Sequence, residues 1–302
     1  VTLDALQRKL SELNVWKRGN ERAPHKPLLL LLAMGRAARG EDRLMAFGDI
    51  EGPLTGLLRH YGPPRRAYHP EFPFRYLATD GLWEVPNASS WGKKHLRDQG
   101  VKGGLTEPLH RMLAGDPANA RLAARRLLDE HFPTSMHQHI LEAVGLWDTP
   151  EPEYTASRRL RRDPHFREAV LTAYERRCAV CDFDLRLKDD LLGLEAAHIQ
   201  WHSHGGPDRV ANGLALCTFH HGAFDRGAIG LEKAQDESDY RIVVSQEVHG
   251  MSPAVHWLLD YHDRPIRPPQ AGTGEPEHQF VAWHAKQVFR APPRGRAGAQ
   301  HE

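Results

Sequence analysis

Cysteine is scarce, with three in 302 residues, too few for the disulfide framework of a small secreted fold. Long apolar runs are missing too. The longest, Leu28 to Met34, falls far short of the roughly 20 residues that span a bilayer. It is also too short for a secretory leader and sits behind charged residues, so a cytoplasmic protein with no membrane partner is expected. Nor is there an excess of one charge. Lys and Arg number 40 against 39 Asp and Glu, for a formal net charge of +1. That excludes a histone-like polycation but leaves nucleic-acid binding open, because local charge decides it. The first 150 residues hold 21 basic against 17 acidic side chains and the remainder 19 against 22, so neither half names a partner by charge. No internal repeat is visible.

What remains is a globular composition, 40% hydrophobic and 26% charged, in a chain long enough for two domains. The first part reads mainly as helices. Leu3, Leu6, Leu10 and Leu13 recur at helical spacing. Pro27 followed by LLLLLAMGRAA fits a helix with proline in its first turn, buried on nearly all sides. Residues 60–90 differ, being rich in Pro, Gly and aromatics, and Asp80-Gly81 between FPFRYLA and LWEV predicts a β-hairpin. Helical patterns return over Thr106–Leu113, Asn119–His131 and Met136–Val144. WDTPEPEYTASRR (147–159) has linker composition and separates an expected domain 1–146 from a second, 160–302. The second opens with a helix over Arg162–Arg177 that faces inward through Phe166, Val170, Leu171 and Tyr174. It closes with an amphipathic piece, 278–289, and a tail whose last dozen residues are expected to be disordered.

All three cysteines fall in two paired half-sites. Cys178 and Cys181 form C-x2-C, and Cys217 and His220 form C-x2-H. Two tight turns can aim four such ligands at one tetrahedral Zn²⁺. A redox pair would explain the first half-site but not the second. Small core cysteines with a surface histidine are the bland alternative.

Between and after these ligands runs LEAAHIQWHSHGGPDRVANGLALCTFHHGAFD (194–225). It resembles the core of HNH endonucleases, which implies a ββα-metal finger: a strand carrying a histidine, a Gly-Gly and Asn loop, a short strand, and a helix opening with a histidine. In that resemblance His198, Asn212 and His221 are the catalytic positions. The chemistry is consistent with the residue types. A histidine near its ordinary pKa can take a proton from water at neutral pH, which suits His198 as general base. A divalent ion, Mg²⁺ or Mn²⁺, can neutralise the scissile phosphate and ease departure of the 3′ oxygen, with His221 as its ligand. Asn212 cannot be a base. It can hold the loop, orient His198, or ligate the metal through its carbonyl. The chain departs from the family at Ala197, where many members carry a metal-binding Asp or His. Asp225, one helical turn after His221, is a candidate second ligand; Glu195 is another, though alternation points it away from His198. His202 and His204 are expected to be exposed loop residues and Asp208 a turn residue. Seven cations between 157 and 177 (Arg158, Arg159, Arg161, Arg162, Arg167, Arg176, Arg177) form either a solvated face or a phosphate contact.

The N-terminal half resembles the sulfur-binding domain fused to HNH cores in McrA-type restriction enzymes, through PHKPLLLL (24–31), PPRRAYHPEFPFRYL followed by DGLWEV, and the domain order. The resemblance implies recognition of double-stranded DNA carrying a backbone phosphorothioate. Sulfur in place of a phosphate oxygen is larger, more polarisable and a poorer hydrogen-bond acceptor, so its reader needs an apolar dimple rimmed by cations. Phe72 and Pro73 match the dimple, Lys26 a cation near the phosphate, and Arg65, Arg66, Tyr68 and Arg75 the rim, with Ser89 and Ser90 offering backbone N–H groups. The whole is expected to be an α+β protein: a mainly helical DNA-reading domain with a hairpin region, and an HNH domain with a zinc knuckle. Cutting both strands takes two active sites or two visits, for which a homodimer is one answer. Two alternatives stand beside this reading, an HNH nuclease for methylated bases and a non-cleaving, zinc-stabilised DNA-binding regulator, the latter favoured by Ala197.

Overall fold

The computed structural model describes residues 2–86, 90–149, 164–234 and 239–295. Ser89, Arg158, Arg159, Arg161, Arg162, most of the 147–159 segment and the chain from 296 onward therefore lie outside the described residues. The chain divides into two compact units, Val1–Arg159 and Leu160–Glu302.

In the first unit α1 (Leu3–Ser11) starts at Thr2, whose hydroxyl accepts from the Ala5 amide, and buries Leu6 and Leu10. A two-residue hairpin follows, β1 (Lys17–Arg18) with β2 (Glu21–Arg22). Next comes α2 (His25–Ala38), buried without interruption from Pro27 to Gly35. Burying each of its five successive leucines contributes about 2 kcal/mol, which is why a helix with so little amphipathic contrast is stable here. It packs against the helices that come after it: α3 (Phe47–Tyr61), α4 (Glu71–Tyr76), α6 (Glu107–Gly115) and α7 (Pro117–His131). A three-stranded antiparallel sheet, ordered β3 (Leu44–Ala46), β5 (Lys102–Leu105), β4 (Trp83–Glu84), completes the unit with α5 (Lys93–Asp98) and α8 (Thr134–Ala143).

The hairpin expected at Asp80-Gly81 is not there. FPFRY is helical in α4, a 3-10 turn covers Leu77–Asp80, and Gly81 closes it with a left-handed φ of 67°. Strand β4 pairs instead with the distant β5. Asp-Gly supplies positive φ equally to a tight hairpin and to a helix end, and Pro70 and Pro73, read as loop formers, sit at the N-terminal cap and early in α4 where proline is tolerated.

The second unit begins with α9 (Pro164–Ala173), shorter than expected because Glu175 and Arg176 both take positive φ and turn the chain toward Cys178. After a small hairpin, β6 (Arg186–Leu187) with β7 (Asp190–Leu191), come β8 (Leu194–His198) and β9 (Gly213–Cys217), paired antiparallel from Leu194↔Cys217 to His198↔Gly213. Helix α10 (Thr218–Asp225) follows directly. Together these three are the expected ββα unit. Both α9 and α10 pack on the strand pair. A further hairpin, β10 (Ile229–Lys233) with β11 (Tyr240–Val244), then α11 (His256–Leu259) and α12 (His278–Gln287), close the core around Phe166, Val170, Leu216, Phe224, Ile242 and Phe280.

Candidate active site and nucleic-acid interface

The knuckle assembles as the spacing predicts. Cys178 and Cys181 sit on a tight turn in which the Asp182 amide donates to the Cys178 carbonyl at 2.9 Å. Cys217 ends β9 and caps α10, and His220 lies in the first turn of that helix. The three sulfurs and one imidazole nitrogen all lie within 4.8 Å of one another, and all three cysteines are free thiols. His220 Nδ1 is 3.1 Å from Cys217 Sγ, while Nε2 lies 3.1 Å from the Trp257 carbonyl. That carbonyl fixes the proton on Nε2 and turns the Nδ1 lone pair toward the sulfurs, the usual support behind a metal-ligating histidine. Hydrogen bonds from Cys178 and Cys181 hold the Cys217 thiol well below its ordinary pKa. A closed set of three sulfurs and one nitrogen is the donor chemistry of a structural zinc site.

His221 follows His220 on α10, and consecutive helix residues point to different sides. Its imidazole is held between two carboxylates: Nδ1 is 2.5 Å from Glu195 Oε2 and Nε2 is 3.1 Å from Asp225 Oδ2. Burial disfavours the charged ring, yet Asp225 and Glu195 outweigh it and raise the pKa to about 9. Glu195 reaches α10 from β8. Its side chain is 46% exposed while that of Asp225 is 2% exposed.

His198 is the last residue of β8. Phe166 of α9 stacks on its ring, with centroids 4.1 Å apart and planes 16° from parallel. Gly213 permits that approach, since a Cβ there would stand 2.4 Å from Val170 and 3.2 Å from Phe166. Asp208 Oδ1 is 2.6 Å from His198 Nε2. Asp208, read from the sequence as a turn residue, thus contacts the imidazole, and only its place at the end of a short Gly-Gly-Pro loop hinted at this. Asn212 is fully buried. Its Oδ1 accepts from the Gln200 amide at 2.8 Å, and its Nδ2 donates to the carbonyls of Gln200 and Pro207 at 3.0 and 3.1 Å. These bonds tie the segment after β8 to the one before β9. His204 corrects the expectation of exposure: it is buried, with its ring edge-on to Trp201 and Trp283. His202 stays exposed, with its ring centroid 5.9 Å from that of His198. The site residues thus fall into two groups, His221 with Glu195 and Asp225, and His198 with Asp208 and Phe166.

In the first unit the cations are partly committed. Lys26 Nζ is 2.5 Å from Asp80 Oδ2, with both side chains largely buried, and Asp80 Oδ1 also accepts from the Asn14 amide. Lys26 is therefore a strut between α2 and the turn before β4. Arg65, Arg66 and Arg75 are exposed and Tyr68 half-buried. Arg75 lies over the rings of Tyr76 and Trp91. Phe72 is 51% exposed and stacks on His69, but Pro73 is buried, so the expected dimple has one of its two apolar walls inside the fold. His69 Nδ1 lies 2.9 Å from a buried Glu71 carboxylate. Burial, reinforced by His69 and Arg65, lowers the pKa of neighbouring His25 to about 4. Tyr76 and Trp91 were missed by sequence reading, because nothing in their local pattern separates a cation's wall from a core aromatic.

Residues 3–149 match the family of ScoMcrA-like DNA sulfur-binding domains, and residues 178–232 match the HNH endonucleases. No curated protein matches the chain. Among solved structures it is similar to the sulfur-binding domain of SprMcrA complexed with phosphorothioated DNA, at 28% identity over 50% of this chain and 98% of that one, with a TM-score of 0.44. The corresponding domain of ScoMcrA, also complexed with phosphorothioated DNA, is 25% identical over 46% of this chain and 94% of that one, with a TM-score of 0.38. The type IV phosphorothioation-dependent restriction endonuclease ScoMcrA is 24% identical over 48% of this chain and 35% of that one, with a TM-score of 0.39. The chain thus joins an N-terminal ScoMcrA-like DNA sulfur-binding domain to a C-terminal HNH endonuclease domain, the pairing of McrA-type restriction enzymes.

Proposed function

We propose that this protein is a modification-dependent restriction endonuclease: its first unit binds duplex DNA bearing a phosphorothioate and its second hydrolyses a phosphodiester bond nearby. The observation that carries this reading is the coupling of a DNA sulfur-binding domain to an HNH core in one chain. The polar groups around His198 and His221 support it.

His198 acts as the general base, with its ring plane set by Phe166 and its Nε2 proton held by Asp208. Asn212 keeps the loop that carries Asp208 in register. The cluster around His221 fits a divalent ion by donor chemistry, one imidazole nitrogen and carboxylate oxygens, and Mg²⁺ or Mn²⁺ is the ion proposed. Glu195, the more exposed carboxylate, would share it with His221, whereas buried Asp225 would accept the proton of the other ring nitrogen and orient the imidazole. When bound, the ion neutralises phosphate charge and stabilises the departing oxygen. Glu195 in this role makes good the family ligand missing at Ala197. On the first unit, Phe72 offers an apolar face to sulfur, while Arg65, Arg66 and Arg75 meet neighbouring phosphates.

Two measurements test this. Affinity for matched duplexes differing by one sulfur should favour the modified duplex at physiological salt, and equal affinity would reject the sulfur reading. Replacing His198 with Ala should lower cleavage by about 10²–10⁴, and undiminished cleavage would reject the base.

A further inference from the structure

A general base must present its lone pair at a fixed place. A free histidine does not, because its proton is shared between two ring nitrogens and its ring can turn. Two contacts remove both freedoms at His198. Phe166 lies against one face of the ring, with Gly213 making room for it. Asp208 meets the ring edge at Nε2. A carboxylate only accepts, so Nε2 carries the proton and the basic lone pair is on Nδ1. Asp208 is itself held in place, because the preceding residue, Pro207, is tied through its carbonyl to the buried Asn212 amide.

We infer that Asp208 is a positioning residue for His198: it selects the tautomer in which Nδ1 is basic and stabilises the imidazolium formed when water is deprotonated. This rests on the reading of His198 as the base. In that step Nδ1 takes one proton from water, the water oxygen bonds to phosphorus, and the bond from phosphorus to the 3′ oxygen breaks. The leaving oxygen then takes a proton from solvent, and the imidazolium returns its own to solvent. Among the described residues, the groups facing His198 include Asp208 and His202 from the loop and Phe166 from α9, beside which stand the titratable and charged His165 and Arg167. His202 Nε2 is 4.0 Å from the other Asp208 oxygen, so His202→Gln serves as a control for its titration.

The test is the pH dependence of cleavage by the full chain on sulfur-modified duplex at saturating divalent ion. Cleavage by the unaltered protein should rise with pH as His198 loses its proton. In Asp208→Asn the acid limb should move to lower pH by about one unit or more, because the charge favouring imidazolium is gone. The plateau kcat should fall about tenfold or more through loss of the tautomer, with KM unchanged. Asp208→Glu should restore part of both, and His202→Gln should leave the limb in place. A limb that stays put in Asp208→Asn overturns the inference, even if kcat falls, because a merely structural role would lower activity without moving it. Absence of cleavage by the unaltered protein with every divalent ion would remove the base reading itself, and the inference with it. Long-range ¹⁵N–¹H spectra of the full chain provide an independent readout. The Nε2–H tautomer at His198, lost in Asp208→Asn, supports the inference, and the Nδ1–H tautomer in the unaltered protein overturns it.

Discussion

Asn212→Ala separates a loop-holding asparagine from a chemical one. The side chain is wholly buried and makes three hydrogen bonds, to the Gln200 amide, the Gln200 carbonyl and the Pro207 carbonyl, at 2.8, 3.0 and 3.1 Å. At about 1 kcal/mol net per bond, truncation should destabilise the second unit by about 3 kcal/mol. For a domain of this size each kcal/mol moves Tm by about 3 °C, so the expected drop is about 10 °C. Asn212→Asp should cost at least as much, since an oxygen would then face two carbonyl oxygens. Scanning calorimetry of the full chain reads the stability. Cleavage measured well below the lowered Tm reads the consequence, a fall of about tenfold as Asp208 drifts from His198. Isothermal titration reads the divalent ion, whose affinity should be unchanged. An Asn212→Ala protein that melts with the unaltered one would refute the loop role, and one that loses ion affinity would make Asn212 a ligand after all.

Four further outcomes follow from the structure. One zinc per chain should be found by elemental analysis; Cys217→Ser should lose it and abolish cleavage while binding of sulfur-modified duplex persists, because metal binding at such a site is folding energy. His131 has its pKa lowered to about 4 by burial, with Arg22 and Lys17 adding to it. It is neutral in the fold but titrates normally when unfolded, so its contribution is intact above about pH 6.5 and is lost as pH falls toward 4, by up to about 3 kcal/mol. Urea titrations of the full chain should show this slope flattened in His131→Gln. Lys26→Met should destabilise the first unit, leaving the largely buried Asp80 carboxylate without its cation. Arg66→Ala should leave stability alone, weaken DNA binding and reduce its salt slope by about 1. Identical salt slopes for Arg66→Ala and the unaltered protein would remove Arg66 from the interface.

The parts of this structure that were legible in the sequence are those whose signal is local. The C-x2-C and C-x2-H spacings carried the knuckle, and the leucine run after Pro27 carried α2. The interlocked His198, Asn212 and His221 carried the ββα unit. The parts that were not legible depend on which of two uses a residue type is put to. Asp-Gly ends a 3-10 turn where a hairpin was expected, since both require positive φ at glycine. Lys26 and Asp80 are far apart in sequence, and nothing in either neighbourhood announces their ion pair. Asp208 looks like any aspartate after proline until the loop folds it onto His198. Glu195 was a candidate ligand whose alternation pattern said nothing about α10, and only the packing of that helix brings it to His221.

A chain that reads a sulfur mark and cuts near it must tell a marked plasmid from an unmarked one. Incubating the full chain with Mg²⁺ or Mn²⁺ and either a phosphorothioated plasmid or its unmodified twin tests this most directly. Linear or fragmented product is expected from the modified plasmid alone, with its formation lowered about 10²–10⁴ when His198 is Ala. Equal cutting of both plasmids, or of neither, would contradict it.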